Sequence, residues 1–222
     1  MNNSKLEYFI DYLDREWSWR RKEVTSYDQL LAFAEDYQKP ILQRASIPFL
    51  YSHWEGFVKA SSRKLLKSYS NHKINNVPRH IVLSFLMKEF ESRQCNKMYL
   101  KIADTSIECL SNENIEISKN INEIINVHSN LDSQELKNIL KITGIDHNPF
   151  SLREKFIDYS LLGNRNKIAH GEGIAISYDD YLKIKRGTIE IIELFKEEIT
   201  NIAIKYNNIY NSSMRGISFK FL

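Results

Sequence analysis

The residues of this sequence that could do chemistry lie closest together between Arg165 and His170, with Asn166 directly after the arginine. Glycines stand on both sides of the stretch, at Gly163 and Gly171. Histidine exchanges protons near neutral pH, and the guanidinium of arginine is a permanent planar cation that binds anions. The stretch is therefore the candidate for acid–base or anion-binding chemistry.

The spacing within this stretch limits how one copy of the chain could use it. Arg165 and His170 are five positions apart, which on a regular α-helix leaves their side chains about 140° apart around the axis. Asn166 and His170 would share a face, while Ile168 and Ala169 would pack inward. Joint action of the arginine and the histidine therefore requires either a helix irregularity near the preceding glycine or a second copy across a two-fold axis.

The same residues also have a purely structural interpretation. A histidine near a helix C-terminus followed by glycine, as in His170 and Gly171, is typical of helix capping. A protonated histidine there interacts favourably with the helix dipole. Arg165 could then simply pair with an acidic residue such as Glu172. Spacing alone favours this structural interpretation over a functional site.

Other sequence motifs of enzyme sites are absent. The chain has no phosphate-binding loop, dinucleotide fingerprint, zinc-protease motif, calcium-binding loop or serine-hydrolase elbow. None of its six histidines pairs with another at metal-ligand spacing: His53, His72, His80, His128, His147 and His170. We therefore predict no metal site and no cofactor, and we place His53 at the surface.

Composition predicts an ordinary helical globular protein. Because the 222 residues include only 7 Gly and 4 Pro, long helices are favoured over many short strands. The net charge of +3 is too small to indicate nucleic-acid binding by itself. Apolar runs are too short to cross a membrane, the N-terminus lacks a signal-peptide pattern, and Cys95 and Cys109 fit reduced thiols best. We expect a cytoplasmic protein.

Apolar periodicity predicts one all-α domain over residues 1–222, a bundle of long antiparallel helices. The predicted helices cover about 4–36, 40–71, 79–93, 97–109, 133–143, 151–162 and 177–206. The Asn-rich segment at about 111–132 is predicted to be an irregular insertion, compatible with a small β-hairpin. The tail, 212–222, alternates apolar and polar residues like a strand.

Residue types near the helix ends set the predicted boundaries. Ser4, Ser133 and Ser151 are predicted N-caps. Pro40 suits the first turn of a helix, and Pro48 predicts a kink or a break. The helix after Ser151 is predicted to turn one apolar stripe toward the core: Leu152, Phe156, Tyr159 and Leu162.

Two groups of basic residues are solvated faces in the simplest interpretation. Lys59, Arg63 and Lys67 recur every four positions and form a basic ridge, which alternatively tracks the phosphates of a nucleic acid. The same choice applies near Trp17 and Trp19, where stacking and charge could contact RNA. The basic residues there are Arg15, Arg20, Arg21 and Lys22.

The run from Arg165 to His170 resembles the R-x4–6-H motif of the HEPN superfamily, the helical domains of many prokaryotic RNase toxins and RNA-targeting defence effectors. The polar Asn166 and the trailing Gly171 fit this pattern. Three further stretches are similar to one stand-alone bacterial HEPN branch: Tyr51–Phe57, Ser129–Asp146 and Asp158–Leu162. Together the resemblance covers most of residues 40–206.

This resemblance implies a metal-independent endoribonuclease that acts as a toxin or phage-defence effector. In such enzymes the 2′-hydroxyl attacks the adjacent phosphorus and leaves a 2′,3′-cyclic phosphate. It implies His170 as general base or acid, Arg165 as the phosphate-binding cation, and Asn166 as a residue that orients the histidine or the phosphate. Glu55 is an auxiliary acidic candidate, for which a surface salt bridge is the simpler role.

The resemblance also implies partners. Such enzymes usually form homodimers in which two motifs build one composite active site, and this arrangement would solve the separation of arginine and histidine. RNA is the implied substrate, and its candidate contacts are Lys59, Arg63, Lys67 and Lys167. A regulatory or antitoxin protein is expected because an unrestrained RNase would harm its host.

Two alternatives remain open from the sequence. The first is a non-catalytic HEPN-like helical module that binds RNA, a nucleotide or a partner protein. The second is an antitoxin or assembly subunit that docks through the tail, where the apolar residues are Ile217, Phe219 and Phe221.

Overall fold

The architecture is all-α, as the sequence predicts. A computed structural model of the chain describes residues 3–69, 77–92, 104, 121–125 and 130–214. The α-helices within these ranges are α1 (Asn3–Phe33), α2 (Lys39–Ser68), α3 (Arg79–Ser92), α4 (Ile121–Ile124), α5 (Ser133–Thr143), α6 (Asn164–Ala169) and α7 (Tyr178–Met214). A 3₁₀-helix (Asn148–Arg153) and a π-helix (Phe156–Gly163) lie between α5 and α6.

Helix α2 is the centre of the bundle because it packs against α1, α6 and α7. Its Trp54 and Phe57 are fully buried and meet the ring of Phe195 on α7 edge-on, with centroids 6.2 and 6.5 Å apart. Phe150 of the 3₁₀-helix contacts the same ring at 6.2 Å. Aromatic side chains bury about 150–250 Å² each, so this cluster fixes α2, α7 and the chain that leads into Arg165.

The predictions for the two prolines of α2 have different outcomes. Pro40 lies in the first turn of the helix, as predicted. Pro48 does not end the helix, since α2 continues through it to Ser68. A proline inside a helix removes one backbone hydrogen bond and crowds the preceding turn. The fully buried Ile47 and Leu50 on either side hold the helix in place through their core contacts.

The predicted serine caps are wrong. Asp132 caps α5, and its carboxylate accepts a hydrogen bond from the Glu135 N–H at 2.7 Å. Ser133 instead donates from both its N–H and its hydroxyl to the carboxylate of Asp158, at 2.7 Å each. Aspartate and serine are equally good caps, so adjacent candidates cannot be ranked from sequence. The other two lie inside helices: Ser4 in α1 and Ser151 in the 3₁₀-helix.

The segment that leads into Arg165 does not have the predicted α-helical period. Leu152 and Tyr159, expected to face the core, are 93% and 73% exposed. A π-helix places more residues in each turn than an α-helix, so the inward positions shift. A Cβ on Gly163 would lie 3.1 Å from the Asp158 carbonyl oxygen, and glycine therefore suits this tight turn. The buried side chains are Phe150, Ile157, Leu161 and Leu162.

His53 is buried, contrary to the surface position predicted for it. The rings of Trp19 and Phe49 flank its ring, with centroids 5.6 and 4.4 Å away. Its Nε2 lies 3.4 Å from the carboxylate of Glu23. Burial lowers the pKa of His53, and the charge of Glu23 opposes that shift. The prediction is wrong because this face of α2 is covered by α1.

Some predictions fall outside the described residues. These are the helix over 97–109 apart from residue 104, residues 111–120 and 126–129 of the insertion predicted over about 111–132 with its small hairpin, the tail from 215 onward, and the states of Cys95 and Cys109. Of the predicted insertion, Ile121–Ile124 is helical, and residues 212–214 of the predicted tail continue α7. The division of the chain into one domain with an insertion and a tail stays a prediction.

Helix α6 ends in a Schellman motif at a glycine. Gly171 has a φ of 78°, in the left-handed region, and its N–H donates to the Ile168 carbonyl at 3.0 Å. The Glu172 N–H donates to the Lys167 carbonyl at 2.9 Å. This pair of bonds satisfies carbonyls that a helix end leaves free. It also fixes His170 as the residue that closes the helix.

We predict that Gly171→Ala destabilises the protein by about 1 kcal/mol, because a side chain disfavours the left-handed conformation. Gly173→Ala is the matched control, since a Cβ at either glycine meets nothing within 4 Å and only Gly171 has a positive φ. Urea denaturation followed by circular dichroism measures both variants. Equal stability of the two variants would contradict the assigned helix end.

Candidate active site

The side chain of Arg165 is held by neutral groups. Its Nη1 donates to the side-chain oxygens of Asn130, at 2.8 Å, and Asn166, at 2.7 Å. Its Cζ lies 4.9 Å from the ring centroid of Tyr51 on α2, a cation–π contact. These bonds fix the half-buried guanidinium without cancelling its charge.

The structural interpretation of the sequence had two parts: the helix end at His170 and Gly171 is confirmed, whereas the ion pair between Arg165 and Glu172 is wrong. The hydrogen bonds recorded for the arginine go to amide oxygens, and Glu172 is exposed, with its N–H used in the helix end. Among the described residues, no carboxylate therefore neutralises the Arg165 guanidinium.

His170 lies at the C-terminus of α6 with an exposed side chain. Its N–H donates to the Asn166 carbonyl at 2.9 Å, which is the regular helical bond. Among the described residues, its ring has no recorded hydrogen bond or ion pair. The ring is therefore accessible at the helix end, as a group that exchanges protons with a bound molecule must be.

The geometry of one chain keeps the two side chains apart. A helix irregularity near Gly163 was one predicted way to bring them together, and the π-helix is such an irregularity. However, it ends at Gly163, before Arg165, and regular α-helix follows. Arg165 is turned toward Tyr51, whereas His170 is exposed. Within a single chain, the irregularity does not bring arginine and histidine onto one face.

The side-chain oxygen of Asn166 accepts its hydrogen bond from Arg165 and not from His170. The i, i+4 spacing correctly places it one turn from the histidine, where its carbonyl accepts the His170 N–H. Ile168 and Ala169 were both predicted to pack inward. Ile168 contacts the core as predicted, whereas Ala169 is exposed. The amide of Asn166 therefore orients the cation in this structure.

Sequence reasoning missed Tyr51 and Asn130 as site residues. Both lie in stretches that resemble the HEPN branch, and that resemblance is the sequence signal that could have found them. The Tyr51 hydroxyl accepts a hydrogen bond from the Leu131 N–H at 2.6 Å. Burial raises the pKa of Tyr51, and its side-chain hydrogen bond to Glu55 adds to that shift, so the hydroxyl stays protonated at neutral pH.

Glu55, the auxiliary acidic candidate, faces this same tyrosine. Its carboxylate also pairs with Lys59 one turn later on α2, at 2.5 Å. Both members of the pair are only partly exposed. Glu55 therefore does not contact Arg165 directly, since Tyr51 lies between them. Its ion pair with Lys59 is internal to α2.

The predicted basic ridge is partly used inside the protein. Arg63 donates from Nε and Nη2 to the Ile125 carbonyl, at 3.1 and 2.8 Å, which ties α2 to the end of α4. Lys59 is engaged with Glu55. Lys67 and Lys167 are exposed. Contact of these residues with RNA stays a prediction, and the two exposed lysines are the better placed for it.

The basic residues of α1 divide in the same way. Arg20 is buried, forms an ion pair with Glu16, and stacks on Trp19 with its Cζ 4.2 Å from the ring centroid. Arg21 and Lys22 line an open groove of about 610 Å³ between α1 and α7. Arg20 is therefore a core residue, whereas Arg21 and Lys22 face the groove.

The described residues contain neither a metal-binding cluster nor a membrane-spanning helix. No group of three or more His, Cys, Asp or Glu side chains is arranged to hold a metal ion in the part of the chain that the structure describes. No helix there is long and apolar enough to cross a membrane.

Comparison with known proteins identifies the family. Residues 15–201 match the family model described as RiboL-PSP-HEPN. The chain belongs to this family. No curated protein and no solved structure matched the chain. The RiboL-PSP-HEPN match includes the stretch from Arg165 to His170 and the Tyr51 region of α2, so the resemblance to the HEPN superfamily is confirmed. Membership indicates a HEPN-type, ribonuclease-like module.

We predict that the two residues of the motif differ in their effect on stability. Arg165→Ala should lower the free energy of unfolding by about 1–2 kcal/mol, because it removes charge-assisted hydrogen bonds. His170→Ala should change it by less than about 0.5 kcal/mol, as expected for an exposed side chain. Urea denaturation at pH 7.5 measures both. A loss of about 1 kcal/mol in His170→Ala would instead indicate a capping role.

Proposed function

We propose that this RiboL-PSP-HEPN protein is a metal-independent endoribonuclease. The observation that carries the proposal is the Arg165 guanidinium, which is held by neutral groups beside a helix end with an exposed His170. An anchored but uncompensated cation suits the phosphate of a substrate, and an exposed histidine suits proton transfer. Family membership supplies the reason to choose RNA as that substrate.

The proposed reaction is a transesterification within the RNA chain. The 2′-hydroxyl loses its proton, and its oxygen forms a bond to the adjacent phosphorus while the bond from phosphorus to the 5′-oxygen breaks. A proton goes to the departing 5′-oxygen, leaving a 2′,3′-cyclic phosphate and a 5′-hydroxyl. His170 acts as general base or acid, and Arg165 stabilises the charge that develops on the phosphate oxygens. Asn166 contributes by holding Arg165.

We place this chemistry at a homodimer interface. Because Arg165 and His170 do not share a face in one chain, an arginine of one subunit would act with a histidine of the other. The segment that precedes the motif carries two exposed apolar side chains, Leu152 and Tyr159, which a second subunit could cover.

The biological role that we propose is that of a toxin or phage-defence effector, restrained by a regulatory or antitoxin protein. This part follows from the resemblance to HEPN toxins. The exposed Lys67 and Lys167 are the proposed RNA contacts, and Lys59 and Arg63 support the α2 surface through their internal bonds.

We predict that the purified protein cleaves RNA in the presence of EDTA and leaves 2′,3′-cyclic phosphate ends. His170→Ala and Arg165→Ala should each reduce cleavage by at least about a hundredfold, the range for loss of a general acid–base group or an oxyanion contact. Gel electrophoresis of a labelled RNA, with mass spectrometry of the ends, measures both rate and product.

The matched control is Lys155→Ala, which changes a charge on the same helical segment away from the motif. Full cleavage by both motif variants would end the assignment, because the activity would then not depend on Arg165 or His170. The absence of any cleavage by the wild type would favour the second candidate, a non-catalytic module that binds RNA, nucleotide or a partner. The separation of Arg165 and His170 in one chain is the observation that favours it.

The composite site predicts complementation between inactive variants. A dimer of one Arg165→Ala chain and one His170→Ala chain keeps one arginine and one histidine at the shared site. Co-expressing the two with different affinity tags and purifying the mixed dimer should therefore restore measurable cleavage. If each chain uses only its own arginine and histidine, the mixed dimer stays as inactive as either parent.

A further inference from the structure

The guanidinium of Arg165 makes its side-chain hydrogen bonds to the described residues from only one of its nitrogens. Arginine carries five N–H donors in a fixed fork. The two side-chain hydrogen bonds recorded for Arg165 among the described residues both leave from Nη1, toward Asn130 and Asn166. A phosphate binds best to two parallel donors of the fork. The edge formed by Nε and Nη2 is therefore the one that can receive it.

Tyr51 controls this arrangement in two ways. Its ring covers one face of the guanidinium, with 4.9 Å between the Cζ of Arg165 and the ring centroid. Its hydroxyl accepts the N–H of Leu131, the residue directly after Asn130. Tyr51 is 3% exposed and lies within the core of α2. One rigid residue therefore fixes both the plane of the cation and the segment that carries its amide partner.

We infer that Tyr51 and Asn130 are positioning residues that act through Arg165, holding its Nη1 edge so that Nε and Nη2 meet the RNA phosphate. Glu55, one turn after Tyr51 on α2, is paired with Lys59 and is not included in this set. The inference rests on the proposed ribonuclease function and adds residues that the motif itself does not include.

The neutrality of Asn130 is part of the inference. An aspartate would accept the same hydrogen bond and hold the arginine at least as firmly, because charge-assisted bonds are the stronger ones. It would also place a negative charge close to the RNA phosphate and so weaken RNA binding. Asparagine gives the acceptor without the anion, which suits a cation that must bind RNA.

The test compares Asn130→Ala with Asn130→Asp in steady-state RNA cleavage. Asn130→Ala should lower kcat by roughly ten- to a hundredfold, as for a misplaced catalytic group, with a smaller change in KM. Asn130→Asp should restore kcat to within about threefold of the wild type, because the acceptor returns, and should raise KM, because the added charge repels RNA. Asn138→Ala is the matched control, since this exposed asparagine bonds Glu135, remote from Arg165.

The tyrosine is tested by Tyr51→Phe, which keeps the ring and removes the acceptor of the Leu131 N–H. We expect kcat to fall about tenfold, with the melting temperature showing that the variant is folded. Tyr27→Phe is its control, because that hydroxyl bonds the Leu42 carbonyl elsewhere on the bundle. An arginine side-chain ¹⁵N NMR spectrum should show Arg165 restrained in the wild type and averaged in Asn130→Ala, independently of cleavage.

The outcomes separate this inference from the function on which it rests. If the wild type cleaves RNA and Asn130→Ala and Tyr51→Phe cleave equally well, the positioning role is overturned and the ribonuclease stands. If Asn130→Asp loses as much kcat as Asn130→Ala, an acceptor for the Nη1 edge is not what activity requires, and the positioning role of Asn130 is overturned. If the wild type cleaves no RNA under any condition, the proposed function fails and the inference fails with it.

Discussion

A cation fixed by neutral partners is the interaction on which the site of this protein depends. Half-burying a guanidinium removes water from it, and that loss must be offset by hydrogen bonds. Asn130, Asn166 and the ring of Tyr51 supply the contacts without supplying a negative charge. Had a carboxylate taken their place, the arginine would be a structural ion pair. Here it is an anchored charge with a donor edge left for an anion.

This arrangement requires elements that are distant in sequence to meet. Tyr51 belongs to α2, Asn130 precedes α5, and Arg165 follows the π-helix, so three segments must pack together before the cation is held. The aromatic cluster of Trp54, Phe150 and Phe195 shares α2 with this junction and joins that helix to the 3₁₀-helix and α7. The candidate site and the core therefore both depend on the packing of α2. A substitution that disturbs the core around α2 should also displace the Arg165 side chain.

The π-helix and the Schellman end act on opposite sides of the motif. The π-helix sets which side chains of its own segment face the core, burying Ile157 and Leu161 and exposing Tyr159. The glycine end stops α6 directly after His170 and so places the histidine where a helix terminates. Between them lies regular helix, on which Arg165 and His170 point in different directions.

The sequence by itself determined the helical class, most helix positions, the glycine after His170 and the resemblance to the HEPN superfamily, because these depend on local periodicity and residue type. Only the tertiary structure decided that His53 is buried, that Arg63 is used internally, and that Tyr51 and Asn130 hold Arg165. Those facts depend on which segments, far apart in the chain, pack against each other. A π-helix likewise follows from the packing around it, since no short pattern in 156–163 distinguishes it from an α-helix.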